Sequence, residues 1–223
     1  MSVLDLIAGG LVVSCQAPRR SPLRNPGVIA QIAQAAELGG AVGLRVNGPD
    51  DVAAVAAATS GPIIGLHKVP GGRRDVITPD AELARALLEA GASIVAVEAT
   101  REVQDDGLVL LRRIRSLGAP VMADIANLEE GLRAWDAGAE LVGTTLSGYT
   151  LDTMPAPDGP DIELVAALAA EGVRVVAEGR YRSPAQVRAA FDAGAYAVVV
   201  GGAITDPLST TERFAAAAGF RAS

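Results

Sequence analysis

The sequence predicts a (β/α)8 barrel, an α/β fold in which eight parallel strands close into a ring surrounded by helices. The chain of 223 residues is 50% hydrophobic but only 3% aromatic, so small aliphatic side chains must fill its core. Such a composition is typical of strands covered by helices. Eight apolar runs alternate with amphipathic stretches, and eight β/α units in a chain of this length predict one compact barrel domain spanning residues 1–223. A doubly wound open sheet is the alternative, but no Gly-x-Gly-x-x-Gly turn follows the first apolar run.

A short glycine segment recurs along the chain between an amphipathic stretch and an apolar run. Glycine adopts the left-handed backbone conformation that closes many helices. Each copy therefore predicts the end of a helix followed by a parallel strand. The four copies are at residues 38–42, 90–92, 137–139 and 193–195.

The apolar runs and the stretches between them predict the elements in chain order. The predicted strands are 10–16, 41–46, 62–68, 94–99, 120–125, 140–145, 173–178 and 196–201. The clearest predicted helices are 79–90, 127–137, 161–171, 184–193 and 207–218. Three helix starts place a capping residue before a proline of the first turn, at Thr78-Pro79, Ser183-Pro184 and Asp206-Pro207. The proline-rich segment 154–160 is predicted to be part of a long active-site loop.

Charge and composition exclude several classes of partner. Lys and Arg number 19 against 26 Asp and Glu, and no basic run stands out, so we expect neither nucleic acid nor a membrane as partner. No apolar stretch is long enough for a membrane helix. The single cysteine, Cys15, and an N-terminus unlike a signal peptide indicate a cytoplasmic protein.

The predicted strands end in polar residues. In a barrel of parallel strands the carboxyl ends meet on one rim, where the active sites of this fold lie. A functional site is therefore predicted at that rim. In strand order, the end residues are Gln16, Arg45, Lys68, Glu98, Asp124, Thr144 with Thr145, Glu178, and Gly201 with Gly202.

Lys68 is the most informative of these residues. A lysine at the barrel mouth can bind phosphate, form a Schiff base, or act as a base if partial burial lowers its pKa. A structural salt bridge to Glu98 or Glu178 is the alternative. His67 is expected to point to the opposite side of the strand and to be structural.

Metal chemistry is constrained by the residue types available. The chain has one histidine and one cysteine, which excludes a Cys/His metal cluster. Carboxylates alone could still bind Mg²⁺, but nothing in the sequence calls for a metal or another cofactor. Phosphate has a predicted site, because the Gly179-Arg180 and Gly201-Gly202 turns follow the seventh and eighth strands, where such barrels bind phosphate.

Several long strings resemble the N-acetylmannosamine-6-phosphate 2-epimerases, which are barrels of the ribulose-phosphate-binding type. The resemblance covers almost the whole chain, and GTTLSGYT followed by AEGR and GGAIT is its most specific part. The strings are VSCQ at 13–16, GGAVGLRVNG at 39–48, PIIGLHK at 62–68, MADI at 122–125, GTTLSGYT at 143–150, VVAEGRYRSPAQ at 175–186 and VVVGGAIT at 198–205.

The resemblance implies an isomerase of sialic acid breakdown that works without an organic cofactor. It would interconvert N-acetyl-D-mannosamine 6-phosphate and N-acetyl-D-glucosamine 6-phosphate, with Lys68 and Glu178 as the acid/base pair. The other implied residues are Gln16, Arg45, Asp124, Thr145, Ser147, Tyr149 and Arg180 for the substrate, and Gly179, Gly201 and Gly202 for its phosphate. Inversion at C2 does need two proton-transferring groups and a donor for the enolate oxygen, and Lys68 and Glu178 come from separate strands.

The chain departs from the family pattern at sites that bear on the substrate. Glu98 stands where the family has aspartate, no Arg-x-Arg-Pro run follows Thr100, and Asp206 replaces an arginine beside the phosphate turn. Asp206 is interpreted as a helix cap, with Arg73 and Arg74 as candidate replacement cations. The alternatives are an epimerase of a related, unphosphorylated acylamino sugar and a non-catalytic barrel that binds a sugar phosphate. A homodimer is predicted, with residues 211–220 as its contact.

Overall fold

Eight parallel strands form a closed barrel in the computed structural model, which describes residues 2–104 and 106–220. Ten strands are described: β1 (Leu11–Cys15), β2 (Gly43–Asn47), β3 (Ile63–Leu66), β4 (Lys68–Val69), β5 (Val76–Ile77), β6 (Ile94–Glu98), β7 (Val121–Asp124), β8 (Leu141–Gly143), β9 (Val175–Glu178) and β10 (Ala197–Val200). Of these, β4 and β5 form a separate two-stranded hairpin, and the other eight form the barrel. Around the ring the order is β1-β2-β3-β6-β7-β8-β9-β10, and β10 pairs with β1. The predicted (β/α)8 fold is confirmed.

Helices connect the barrel strands and cover their outer faces. They are α1 (Val3–Ile7), α2 (Pro26–Leu38), α3 (Pro49–Ala58), α4 (Ala81–Glu89), α5 (Val109–Arg115), α6 (Leu128–Asp136), α7 (Ile162–Ala170), α8 (Pro184–Asp192), α9 (Gly202–Thr205) and α10 (Pro207–Ala217). No described helix is both long and apolar enough to cross a membrane.

Two of the three predicted helix starts are confirmed, and one is wrong. Ser183 forms a capping box with Gln186, and Asp206 caps α10 by accepting from the Ser209 backbone N–H. The start at Thr78-Pro79 is wrong, because α4 begins at Ala81 and Asp80 is its cap. Thr78 is buried instead, and its hydroxyl donates to the Ala96 carbonyl at 2.7 Å.

The barrel interior is filled by alternate residues of the strands. Val12, Ile64, Ile94, Met122 and Val176 belong to one buried cluster, while their neighbours pack outward beneath the helices. Because strand side chains alternate between faces, the inward set continues at the carboxyl ends of the strands. That set ends in Ser14, Arg45, Glu98, Asp124, Glu178 and Gly201.

The first helix, α1, was not predicted from the sequence. Ser2 and Asp5 form its capping box, while Leu4 and Ile7 pack into the interior cluster. Five residues are too few for a 3.6-residue period to stand out in the sequence. The helix is therefore part of the barrel core, whereas the polar strand ends stand at the other end.

The predicted strand 62–68 is too long at its carboxyl end. The barrel strand β3 ends at Leu66, and Lys68 belongs to a two-stranded antiparallel hairpin in which it pairs with Ile77. The Lys68 backbone N–H donates to Asn47 Oδ1 at 2.8 Å, which ties the start of the hairpin to the end of β2. The strand predicted at 140–145 is also too long, because β8 ends at Gly143 and Thr144 and Thr145 follow it.

Candidate active site

An open cavity of about 930 Å³ lies at the carboxyl ends of the barrel strands. Its lining includes most of the residues that the sequence predicted for a site. These are Gln16, Lys68, Thr145, Tyr149, Glu178, Gly179, Arg180, Gly201 and Gly202. The structure therefore brings nine of the twelve predicted site residues to one cavity, while Arg45, Asp124 and Ser147 do not line it.

Arg45 and Asp124 form the buried base of this site. The Arg45 side chain is 1% exposed and that of Asp124 is 0% exposed. Arg45 Nη2 donates to Asp124 Oδ2 at 2.6 Å, and Nη1 donates to Asp124 Oδ1 at 3.1 Å. The same Nη1 donates a short hydrogen bond to Glu178 Oε2. One guanidinium thus holds two carboxylates from different strands in a fixed geometry.

The Thr145 hydroxyl lies within hydrogen-bonding distance of both carboxylates, Asp124 and Glu178. Its Oγ1 lies 2.6 Å from Asp124 Oδ1 and 3.2 Å from Glu178 Oε2. A hydroxyl has one proton to donate, and the shorter contact to Asp124 is the better donor bond. A protonated Glu178 could in turn donate to Thr145, so the site has a partner for either protonation state of Glu178.

The surroundings shift the proton affinities of Glu178 and Lys68 in opposite directions. Burial raises the pKa of Glu178, and the nearby Asp124 charge adds to this effect against the opposing Arg45 charge. The Lys68 side chain keeps contact with solvent in the open cavity. Its pKa is nevertheless lowered, first by partial desolvation and then by the positive charge of Arg45. The cavity is therefore lined by a carboxyl group with a raised pKa, Glu178, and an ammonium group with a lowered pKa, Lys68.

Lys68 is also the only lysine of the chain. The other 18 of the 19 Lys and Arg residues are arginines, which do not exchange protons at ordinary pH, so this signal in the sequence already distinguishes Lys68. The predicted alternative, an ion pair with Glu98 or Glu178, is wrong within the described residues, since Glu98 is paired with Arg74 and Glu178 with Arg45.

Gln16 follows β1 at the edge of the cavity. Its Nε2 donates to Ser14 Oγ at 2.8 Å, which fixes the orientation of the amide at the cavity wall. His67, as expected, does not line the cavity, and its backbone N–H donates to Thr78 Oγ1 at 3.0 Å.

Arg180 lines the cavity and also contacts the loop that follows β8. Gly179 and Arg180 both have left-handed backbone angles, with φ of 110° and 60°, and this turn directs the arginine toward the loop after β8. Its Nε donates to the Gly159 carbonyl at 2.7 Å and its Nη1 to the Ser147 carbonyl at 2.5 Å. The guanidinium also lies 5.3 Å from the centre of the Tyr149 ring. Arg180 therefore holds the loop over the cavity.

Ser147, a predicted substrate contact, does not line the cavity. Its side chain is 3% exposed, and its hydroxyl donates to Asp161, the residue that caps α7. Ser147 consequently anchors one end of the same loop to the following helix.

The candidate replacement cations Arg73 and Arg74 are already paired. Arg74 forms an ion pair with Glu98, whose side chain is completely buried, and with Glu102 at 3.0 Å. Arg73 Nη2 lies 2.8 Å from Glu102 Oε1, and its Nη1 donates to the Tyr149 carbonyl. Neither arginine lines the cavity, so the expectation that they face a phosphate there is wrong.

The predicted phosphate end of the cavity contains arginines that were not among the predicted site residues. Gly201 and Gly202 form the turn after β10, and Asp206 beside them directs both carboxylate oxygens to Ser209. Five further arginines line the cavity, at positions 19, 20, 24, 182 and 213. A chain with a net charge of −7 thus concentrates positive charge at this one opening.

Comparison with known proteins agrees with this architecture. Residues 29–219 match the family model described as "Putative N-acetylmannosamine-6-phosphate epimerase". Two relatives bear the name "Putative N-acetylmannosamine-6-phosphate 2-epimerase". The Cutibacterium acnes protein is 48% identical over 95% of both chains, and that of Caldanaerobacter subterraneus is 44% identical over 96% of this chain and 93% of its own.

A solved structure gives the same result for the fold. The N-acetylmannosamine-6-phosphate 2-epimerase from Clostridium perfringens superposes with a TM-score of 0.90 at 35% identity, covering 97% of this chain and 96% of its own. The match spans the strands and the loops that build the cavity. The chain belongs to the N-acetylmannosamine-6-phosphate epimerase family.

Proposed function

We propose that the protein is an isomerase that inverts C2 of an N-acylhexosamine 6-phosphate. It interconverts N-acetyl-D-mannosamine 6-phosphate and N-acetyl-D-glucosamine 6-phosphate in sialic acid breakdown, without an organic cofactor. The observation that carries this proposal is the placement of Lys68 and Glu178 on one cavity, with pKa values shifted toward each other. Membership of the family and the names of the relatives support the choice of substrate.

The reaction needs only proton transfers, which these two residues can supply. In the open-chain sugar the C2 proton is acidic because the C1 carbonyl accepts the electron pair as an enolate. One of the two groups takes that proton, and the other returns a proton to the opposite face of C2. The carbonyl is re-formed, and proton exchange with water returns both side chains to their starting states, so that atoms and charge balance without a cofactor.

The developing enolate oxygen needs a hydrogen-bond donor. Arg45 and Gln16 are the two candidate side-chain donors, and their placement favours Gln16. Arg45 lies beneath the cavity lining, and its guanidinium is occupied by two carboxylates. In this mechanism Arg45 and Asp124 are positioning residues that set the orientation and pKa of Glu178, whereas Gln16 faces the substrate.

The unphosphorylated acylamino sugar is the second candidate, motivated by Asp206. However, Asp206 is occupied as a helix cap, and five arginines line the same opening. These observations favour an anionic substrate over a neutral sugar.

Proton NMR in D₂O tests both candidates together. The protein is incubated separately with N-acetylmannosamine 6-phosphate and with N-acetylmannosamine. Formation of the glucosamine epimer with deuterium at C2 is expected for the phosphorylated sugar. Turnover of the neutral sugar alone would replace the proposal by the second candidate, and no reaction with either would favour a binding protein.

Two variants test the assigned roles. Lys68→Met and Glu178→Gln should each abolish deuterium incorporation while binding of the phosphorylated sugar is largely retained. Arg188→Gln, which changes an exposed residue of α8 outside the cavity, is the matched control. Full activity in either site variant would refute the acid/base assignment.

We further propose that the protein works in the cytoplasm and as a homodimer. The segment 211–220 exposes Phe214 and Phe220, at 75% and 72%. Large exposed aromatic side chains are typical of interfaces. Sedimentation should report a dimer for the native chain and a monomer for Phe214→Ser, and a native monomer would refute this proposal.

A further inference from the structure

One face of α10 is directed at the glycine turn after β10. Asp206, Thr210 and Arg213 are spaced by four and three residues, so they lie on the same face of the helix. Side chains on a helix lean toward its N-terminus. Arg213 is thereby directed back along α10 to the end of the cavity that Gly201 and Gly202 form.

A chain of hydrogen bonds fixes the Arg213 guanidinium in this place. Its Nη2 donates to Thr210 Oγ1 at 3.1 Å, and that hydroxyl donates to the Gly202 carbonyl at 3.0 Å. The threonine thus connects the guanidinium to the backbone of the turn. Among the described residues, the other N–H groups of Arg213 have no hydrogen-bond partner, and the residue belongs to the cavity lining.

Two neighbouring arginines of the lining are paired with carboxylates, whereas within the described chain Arg213 is not. Arg19 is paired with Asp75 at 3.2 Å, and Arg20 with Glu212 at 2.6 Å. Across residues 2–104 and 106–220, no carboxylate forms an ion pair with Arg213. Asp206 makes its hydrogen bonds to the backbone N–H and the hydroxyl of Ser209 instead.

Two other arginines of the lining, Arg24 and Arg182, also lack an ion pair within the described chain. No hydrogen bond recorded there connects either guanidinium to the glycine turn. Arg213 differs from them because it is the one anchored at this turn, through Thr210.

We propose that Arg213 is the residue that selects a phosphorylated substrate, by binding the 6-phosphate at the Gly201-Gly202 turn. This inference rests on the proposed function, because it assigns a phosphate to that end of the cavity. Guanidinium groups bind phosphate through paired N–H donors, and charge-assisted bonds of this kind are stronger than neutral ones. Because Arg213 is partly open to solvent, its removal is expected to weaken phosphosugar binding about tenfold.

Calorimetry and kinetics on three variants test the inference. Arg213→Gln removes the charge, Arg213→Lys retains it without the planar donor pair, and Arg188→Gln repeats the charge change away from the cavity. Binding is measured for N-acetylmannosamine 6-phosphate and for inorganic phosphate. KM and kcat are measured for the phosphorylated and the neutral sugar.

The expected result is selective for the phosphate. Arg213→Gln should weaken binding of both phosphate probes and raise KM for the phosphosugar, with kcat and any turnover of the neutral sugar unchanged. Arg213→Lys should recover part of the loss. Equal affinities in Arg213→Gln and Arg188→Gln would overturn the inference, as would a loss of the same size for the neutral sugar.

The two proposals fail in different ways. If the native protein binds the phosphosugar but does not epimerise it, the proposed function is wrong, and the calorimetric comparison still decides the role of Arg213. If the native protein binds neither phosphate probe, both proposals are wrong.

Discussion

Replacing Arg45 with methionine is expected to destabilise the barrel by about 3–5 kcal/mol at neutral pH, which is the usual cost of breaking a buried ion pair. The Arg45 side chain is 1% exposed and holds Asp124 at 2.6 Å and 3.1 Å as well as Glu178. Methionine is flexible and apolar and fills a similar length. The variant therefore retains the packing but leaves two buried carboxylates without their counter-charge.

The size of the effect follows from the geometry. A charge pair at about 4 Å contributes about 4 kcal/mol at the effective dielectric constant that suits protein sites, and the contacts of Arg45 are shorter than that. Domains of ordinary stability unfold at a cost of about 5–15 kcal/mol. The loss would thus remove a fifth or more of the free energy of unfolding.

The loss should depend on pH. Burial already raises the pKa of Glu178 in the native protein, and without Arg45 it rises further. A carboxyl group whose pKa is higher in the folded than in the unfolded state favours folding when it is protonated. The deficit of Arg45→Met should therefore be largest above the folded-state pKa of Glu178 and should shrink as the pH falls through it.

Urea unfolding followed by tryptophan fluorescence measures the change. Trp135 is the only tryptophan, and it packs 5.5 Å from the Arg174 guanidinium in the folded chain. Arg85→Met is the control, because Arg85 is exposed and meets Glu82 only at 3.8 Å. The reasoning is refuted if Arg45→Met loses no more than this control, or if its loss is the same at neutral and at acidic pH.

Three further predictions concern single residues. Because Lys68 is the only lysine, labelling lysine with ¹³C at Cε gives one resonance, and its titration should yield a pKa below the ordinary lysine value that rises in Arg45→Met. Arg180→Met should raise KM more than it lowers kcat and should speed proteolysis of the loop after β8, because two bonds to loop carbonyls are lost; unchanged KM and cleavage would contradict this. Burial raises the pKa of the Cys15 thiol to about 12, so iodoacetamide at neutral pH should alkylate it only after unfolding, and rapid labelling of the native protein would refute its burial.

The barrel could be predicted from the sequence because its signals are local. An apolar run and a closing glycine predict a strand and a helix end within a few residues of each other. The elements that escaped prediction are short or depend on distant contacts. The hairpin of β4 and β5 has two residues in each strand, and it moves Lys68 out of the barrel strand.

The rim of polar strand ends could also be predicted, but the ion pairs between its charged side chains could not. Glu98 and Asp124 are both the last residues of their strands, and both side chains point into the barrel. Glu98 is nevertheless paired with Arg74, which lies 24 residues earlier, whereas Asp124 is paired with Arg45. Which arginine pairs with which carboxylate depends on the folded conformation of the loops and on the side-chain rotamers. The same limit applies to Arg180, whose left-handed backbone angle directs it to the loop after β8, a contact that the sequence did not predict.

The pH dependence of activity follows from the opposite shifts of Glu178 and Lys68. An epimerase must transfer protons in both directions, and a proton moves most readily between groups of similar affinity near the working pH. Free glutamate and lysine are poorly matched, but burial of Glu178 raises its pKa, and desolvation and Arg45 lower that of Lys68. With an ionised Glu178 and a protonated Lys68 as the active pair, the acidic limb of kcat/KM against pH should lie above the ordinary glutamate pKa. The basic limb should lie below the ordinary lysine pKa, and limbs at the two ordinary values would show that these residues are not the proton carriers.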